Sequence, residues 1–153
     1  MKKPITEDEA LFKLTAMCSR AEYCEHDISE KLQRWEIVGE AQARIMQHLV
    51  EEMYVDEERY SRAFVRSKIK YSKWGRRKIE QALRMKHVSE SIYAPILEEE
   101  TSESGTDVLR PLLEAKKKTI KAASDYERNG KLIRFALGRG FDMDLIQKVI
   151  KEI

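Results

Sequence analysis

At 153 residues the chain is long enough for one compact domain or for an array of small helical units, and its 37% of charged residues favours the thinner, surface-rich array. Six Gly and three Pro are too few for a turn-rich β architecture, and helix formers dominate between the breakers, so the expected class is all-α. No run of about 18 apolar residues exists, and Met1-Lys2-Lys3-Pro4 leads into acidic sequence, so neither a membrane span nor secretion is indicated and the cytoplasm is the expected compartment.

In chain order, Leu11, Leu14 and Cys18 line one face of an opening helix. Asp27 and Glu30 have capping-box spacing for a second helix carrying Ile28, Leu32 and Trp35, and Gly39 breaks the chain after it. A third helix faces inward with Ile45, Met46, Leu49 and Met53, and Asp56 reads as the N-cap of the next, with acids behind it that suit a helix N-terminus. There Tyr60, Ala63, Phe64 and Ser67 are predicted to face inward. The chain breaks at Trp74-Gly75, resumes with Ile79, Ala82 and Leu83, and reaches Ser89 as a candidate cap. Pro95 must either kink the following helix or mark its start.

Residues 101–106, Thr-Ser-Glu-Ser-Gly-Thr, read as a polar linker. Beyond it come Leu109, Leu112 and Leu113, then the basic run Lys116-Lys117-Lys118 with Lys121, and a possible interruption at Asn129-Gly130. Leu132, Ile133, Phe135, Ala136 and Leu137 form the next helix, Gly138 and Gly140 end it, and Asp142 caps a last helix with Leu145, Ile146, Val149 and Ile150 inside.

The pattern repeats. Ile28 and Leu32, Ile79 and Leu83, and Ile133 and Leu137 are each four apart, one helix face in every case, with units offset by 51 and then 54 residues. Three tandem three-helix units are expected, at 1–54, 55–101 and 102–153. Each is marginal alone, and stacking them buries surface that none can bury by itself, which implies an elongated, gently curved array with a concave binding side.

The net charge of +2 conceals a segregation. Arg66, Lys68, Lys70, Lys73, Arg76, Arg77, Lys78, Arg84 and Lys86 are opposed only by Glu80, a net of +8 for that stretch. Acids cluster instead at Glu51-Glu52 with Asp56-Glu57-Glu58, and at Glu98-Glu99-Glu100 with Glu103. So dense a basic stretch attracts polyanions or acidic protein surfaces in a salt-dependent way. The candidate contact residues are Arg66, Lys70, Lys73, Arg76, Arg77, Lys78 and Arg84, with Lys116, Lys117, Lys118 and Arg139 as a second patch; Tyr71 and Trp74 could add apolar anchoring, and Trp74 suits packing between units equally well.

Catalytic patterns are missing: there is no glycine-rich phosphate loop, nucleophile elbow, zinc-protease His pair or pair of acids in an apolar setting. His26, His48 and His87 fall at scattered positions and read as surface residues. Cys18 and Cys24, six apart on what reads as one helical stretch, are expected as reduced thiols. Cys24 and His26 lack a second ligand pair of finger-like spacing, and the acid clusters read as solvated helix ends, so neither a metal nor another cofactor is expected.

Tyr54-Val55-Asp56-Glu57-Glu58-Arg59-Tyr60-Ser61-Arg62-Ala63-Phe64-Val65-Arg66-Ser67 resembles the most recognisable segment of the RecX family. Lys73-Trp74-Gly75 through Leu83 looks like that family's Gly-centred turn and basic helix, Asp27 through Leu32 like its first-unit counterpart, and Lys131 through Ile150 like its closing helices. Met53 stands where family members often have Gly, and Trp74 sits beside the turn glycine; both departures bear on binding detail. The resemblance implies a non-enzymatic, monomeric modulator that lodges in the groove of the RecA filament on single-stranded DNA and suppresses strand exchange and the coupled ATP hydrolysis. The rivals are a stand-alone DNA-binding protein with helix-turn-helix-like units and a purely structural helical repeat.

Overall fold

The structure, a computed structural model, describes residues 4–102 and 104–153. The Met1–Lys3 segment of the N-terminal reading and Glu103 of the linker reading lie outside the described residues. Nine helices occur among the described residues, and no strand: α1 (Glu7–Arg20), α2 (Glu25–Arg34), α3 (Gly39–Glu51), α4 (Glu57–Ser67), α5 (Arg76–Met85), α6 (Glu90–Thr101), α7 (Ser104–Thr119), α8 (Asp125–Gly138) and α9 (Met143–Glu152). None is long and apolar enough to cross a membrane.

Local chemistry sets several starts. The Thr6 hydroxyl accepts the Glu9 amide at 3.1 Å, Asp56 accepts that of Arg59 at 3.0 Å, and Ser124 accepts that of Glu127 at 3.1 Å, each satisfying an amide with no partner inside its own helix. Asp27 does not open α2: Cys24 is its N-cap, and Asp27 reaches back from the third position to accept the Cys24 amide at 3.4 Å. The stretch from Cys18 to Cys24 is therefore not one helix; α1 stops at Arg20, and both thiols are free and buried. Gly39 is the first residue of α3 and not a break ahead of it.

Each unit builds its own core. Leu14, Ile28, Leu32, Ile45 and Leu49 are buried together in the first, Tyr60, Val65, Ile79, Leu83 and Tyr93 in the second, and Leu109, Leu113, Leu132, Ala136 and Ile146 in the third. Cys24 crosses over and is buried in the second core, so the start of α2 is wedged between units. The total surface is 10048 Å² for 18.0 kDa, against roughly 8,000 Å² for a compact monomer of that mass. The array is elongated.

One device recurs at the end of each unit's middle helix. Glu36, His87 and Gly140 all take left-handed φ, at 57°, 56° and 94°, and the next residue returns its amide to the core: Ile37 to the Leu32 carbonyl at 3.1 Å, Val88 to Leu83 at 3.3 Å, Phe141 to Ala136 at 3.2 Å. These are Schellman closures with a buried apolar residue after the turn. They also fix the third unit's register as Leu132 and Ala136, one residue earlier than Ile133 and Leu137, because Phe141 must reach the core two residues beyond Arg139.

Other expectations are corrected by packing. Tyr60, Ser61 and Val65 form the buried face of α4, leaving Ala63 and Ser67 exposed, because α4 packs on α6. Met53 is exposed with φ of 62°, the left-handed residue that closes α3. Pro95 lies inside α6 on an exposed face, where water can serve the Ser91 carbonyl that loses its amide partner. Thr101 ends α6 and Gly105 and Thr106 lie in α7, so most of the 101–106 linker reading falls within helices; an alanine Cβ at Gly105 would come within 3.0 Å of Leu145 Cδ2, so this helix start packs directly on α9. Asn129-Gly130 does not interrupt α8, since packing on α7 and α9 outweighs two weak helix formers.

Candidate basic docking surface

The basic stretch is a helix, a turn and a helix. After Ser67, α4 widens into a π-helical turn over Lys68–Ser72, which stops at Lys73, held left-handed at φ 55°. The amides of Lys73 and Trp74 both return to the Lys68 carbonyl, the second at 3.1 Å. Trp74 turns inward, half-buried, with the Lys68 and Lys78 ammonium groups 4.6 and 4.7 Å from its ring; Lys70 and Lys73 point out. Gly75 then caps α5, whose first turn is Arg76, Arg77 and Lys78 with no acid.

The second and third units meet at two glycines. The Gly75 amide donates to the Arg139 carbonyl at 2.7 Å, and the Arg77 amide to the Gly140 carbonyl at 3.0 Å. A Cβ on Gly75 would lie 2.5 Å from the Gly140 carbonyl carbon, and one on Gly140 would lie 2.4 Å from Lys78 Cβ. The guanidinium of Arg77 pairs with Asp142 at 3.0 Å, and Arg139 donates to the Ser72 carbonyl at 2.9 Å. Arg139 thus belongs to the joint as much as to a third-unit patch.

Acids of α6 and one acid of α5 itself occupy part of the basic set. Arg66 pairs with Glu100 at 3.0 Å, Arg76 reaches Glu98 at 3.7 Å, and Arg84 pairs with Glu80 at 3.0 Å while donating to the Tyr93 hydroxyl. Lys73 has no acidic partner among the described residues and is exposed. In the third unit Lys116 and Arg139 share the Phe135 ring, at 5.0 and 5.2 Å from its centroid, while Lys117 turns back to donate to the Ile153 carbonyl at 3.1 Å and Lys118 stays exposed. Sequence reasoning missed Phe135, Ser72 and Gly140 as organisers of this surface; the Gly-x-Gly spacing at 138–140 was the available signal for the last.

A second joint ties units one and two. Lys86 reaches Asp27 at 2.7 Å, Glu57 accepts the Glu25 amide at 2.7 Å, and Arg59 pairs with Glu22 at 2.8 Å. His26 and His87, expected to be scattered, pack with ring centroids 4.5 Å apart, and His26 also meets Glu30 at 3.1 Å. Burial pushes the Cys24 thiol up to about 11, which keeps it protonated and unreactive at neutral pH. Burial also raises Asp27, yet the Lys86 ammonium and the Cys24 bonds outweigh it and hold the carboxyl below its ordinary value. Stability from that pair is present above the ordinary carboxylate range of about 4 and is lost as pH falls through the lowered value. Lys86→Met should accordingly lower Tm at pH 7, and the gap to wild type should narrow as the pH falls below the ordinary carboxylate range; a gap that does not narrow there would point to lost packing instead.

The family model for the second three-helix domain of RecX matches residues 56–94, and that for the third matches 103–150. The regulatory protein RecX of Neisseria meningitidis is 30% identical over 135 residues, covering 87% of this chain and 83% of the relative. That of Vibrio campbellii is 31% identical over 133 residues, covering 85% and 82%. The chain belongs to the RecX family. The basic stretch thus falls in the RecX second domain, and Lys116, Lys117, Lys118 and Arg139 fall in the third. Lengths differ within the family: the chain spans 47% of the RecX of Oceanobacillus iheyensis, to which it is 30% identical over 129 residues. In fold, it matches the crystal structure of RecX from Lactobacillus salivarius with a TM-score of 0.85 at 19% identity, over 95% of each chain.

Proposed function

We propose that this RecX-family chain binds the RecA filament on single-stranded DNA as a monomer and restrains strand exchange and the coupled ATP hydrolysis, through units 1–54, 55–101 and 102–153. The observation that carries the reading is the reversed charge at the start of α5. Glu57 and Glu58 open α4 and Asp125 and Glu127 open α8, as the helix dipole favours, whereas α5 opens on Arg76, Arg77 and Lys78. Cations at that end cost helix stability, and an external anion would relieve the cost. Lys70 and Lys73 extend the same field, and Lys116, Lys118 and Arg139 offer a second docking point.

The test is RecA ATP hydrolysis on single-stranded DNA with increasing amounts of this protein, beside a titration of the naked DNA. Hydrolysis should fall at concentrations too low to coat the bare strand. Loss only when the naked DNA is saturated would favour a stand-alone DNA-binding protein with helix-turn-helix-like units. Reversal of Arg77 would also break its ion pair with Asp142 across the joint, and reversal of Lys78 would remove the cation over the Trp74 ring. The cleaner variant is Lys70→Glu, Lys73→Glu, Arg76→Glu. It should raise the half-inhibitory concentration at least about tenfold at unchanged helicity and flatten the salt dependence; unchanged inhibition would remove this surface from the contact.

A further inference from the structure

We propose that Tyr71 is a base-stacking platform for single-stranded nucleic acid, with Lys70 and Lys73 as the cations that meet its phosphates. The inference rests on the reading above only in taking this surface to face nucleic acid, and it adds which residue reads the bases.

The ring of Tyr71 is 73% exposed although the neighbouring Trp74 and Ile69 pack inward on the second core. It is not on a loose loop: the π-helical turn holds it, and two successive amides closing on the Lys68 carbonyl fix the backbone there. Lys70 Nζ lies 5.2 Å from the ring centroid, and Lys73 comes two residues on, exposed and without an acidic partner among the described residues. Tyr126 provides the contrast. It is 91% exposed, but Asp125 and Glu127 flank it, a setting that repels a polyanion.

A ring with Lys70 over one face, Lys73 two residues on and most of its surface exposed suits a strand whose bases are unpaired, since stacking accepts any base and the lysines accept any phosphate spacing a flexible backbone allows. Duplex bases are already stacked on one another and offer no face to a lone tyrosine. A protein partner would be expected to meet an apolar ring through neutral surroundings, and here the surroundings are basic. Trp74 cannot serve in its place, being half-buried under the Lys68 and Lys78 ammonium groups.

The experiment uses the full chain without RecA, with fluorescein-labelled oligothymidylate and an abasic oligonucleotide of equal length read by anisotropy. The wild type should prefer the oligothymidylate by at least about fivefold, the lower end of what one stacked base contributes. Tyr71→Ala should lose that preference while keeping its salt slope and far-UV spectrum, and Tyr71→Phe should retain it. Equal wild-type affinity for the two oligonucleotides, no binding to either, or an undiminished preference in Tyr71→Ala would overturn the proposal. Should Tyr71→Ala weaken RecA inhibition but leave oligonucleotide binding intact, the ring faces protein; this inference then fails while the filament reading stands.

Discussion

Gly140→Ala should lower the thermal midpoint by roughly 4–20 °C and detach the third unit from the second. The left-handed φ of 94° is open to glycine and costs an alanine about 1–2 kcal/mol. The added methyl would also sit 2.4 Å from Lys78 Cβ and 2.5 Å from the Lys78 amide nitrogen, both fixed by α5, and overpacking of that kind costs a further 1–3 kcal/mol or so. At about 2–4 °C per kcal/mol for a chain of this size, the two costs together give that range. Gly138 is the control: nothing lies within 4 Å of its would-be Cβ, so Gly138→Ala should leave the midpoint level or slightly raised. The midpoint is read by circular dichroism, and detachment by faster trypsin cleavage at Lys73, Arg76 and Arg77, exposed side chains whose backbone is held by the joint's amide bonds. Because the joint is made by the amides of Gly75 and Arg77, the same substitution should weaken docking without touching a basic side chain. A midpoint within 2 °C of wild type would show that the two glycine backbones do not hold the units together.

Much of the architecture was legible because it is local. Asp56 caps α4 by accepting the Arg59 amide, Ser89 and Asp142 stand at the N-caps of α6 and α9, and Ile28 with Leu32 and Ile79 with Leu83 lie on faces that the four-residue spacing alone defines. The errors fell where distant packing overrules local preference. Ala63 is a good interior residue by spacing, but α6 presses on the side of α4 that carries Ser61 and Val65. The basic stretch was equally plain as a charge count, and its use was not. Whether an arginine is spent inside the protein depends on acids far along the chain: Glu100 for Arg66, Glu98 for Arg76, Asp142 for Arg77. Nor could spacing reveal that Arg139 bridges two units, since its partner is a backbone carbonyl at Ser72.

The register of the third unit offers the sharpest separation of the two levels, since Ile133 with Leu137 and Leu132 with Ala136 have the same spacing. Leu132 is 1% exposed and Leu137 is 39% exposed. Leu132→Ala should therefore cost about 2–5 kcal/mol in urea unfolding, as deletion of a fully enclosed leucine does, whereas Leu137→Ala should cost less than about 1 kcal/mol. The reverse order would restore the register that spacing suggests. The consequence reaches the docking surface: Ala136 accepts the Phe141 amide that closes the turn at Gly140, and the Gly140 carbonyl in turn receives Arg77 at the base of α5. A cavity at Leu132 loosens that chain of bonds from its core end, so on the proposed filament reading Leu132→Ala should weaken RecA inhibition as well, in proportion to the population in which the third unit has come away.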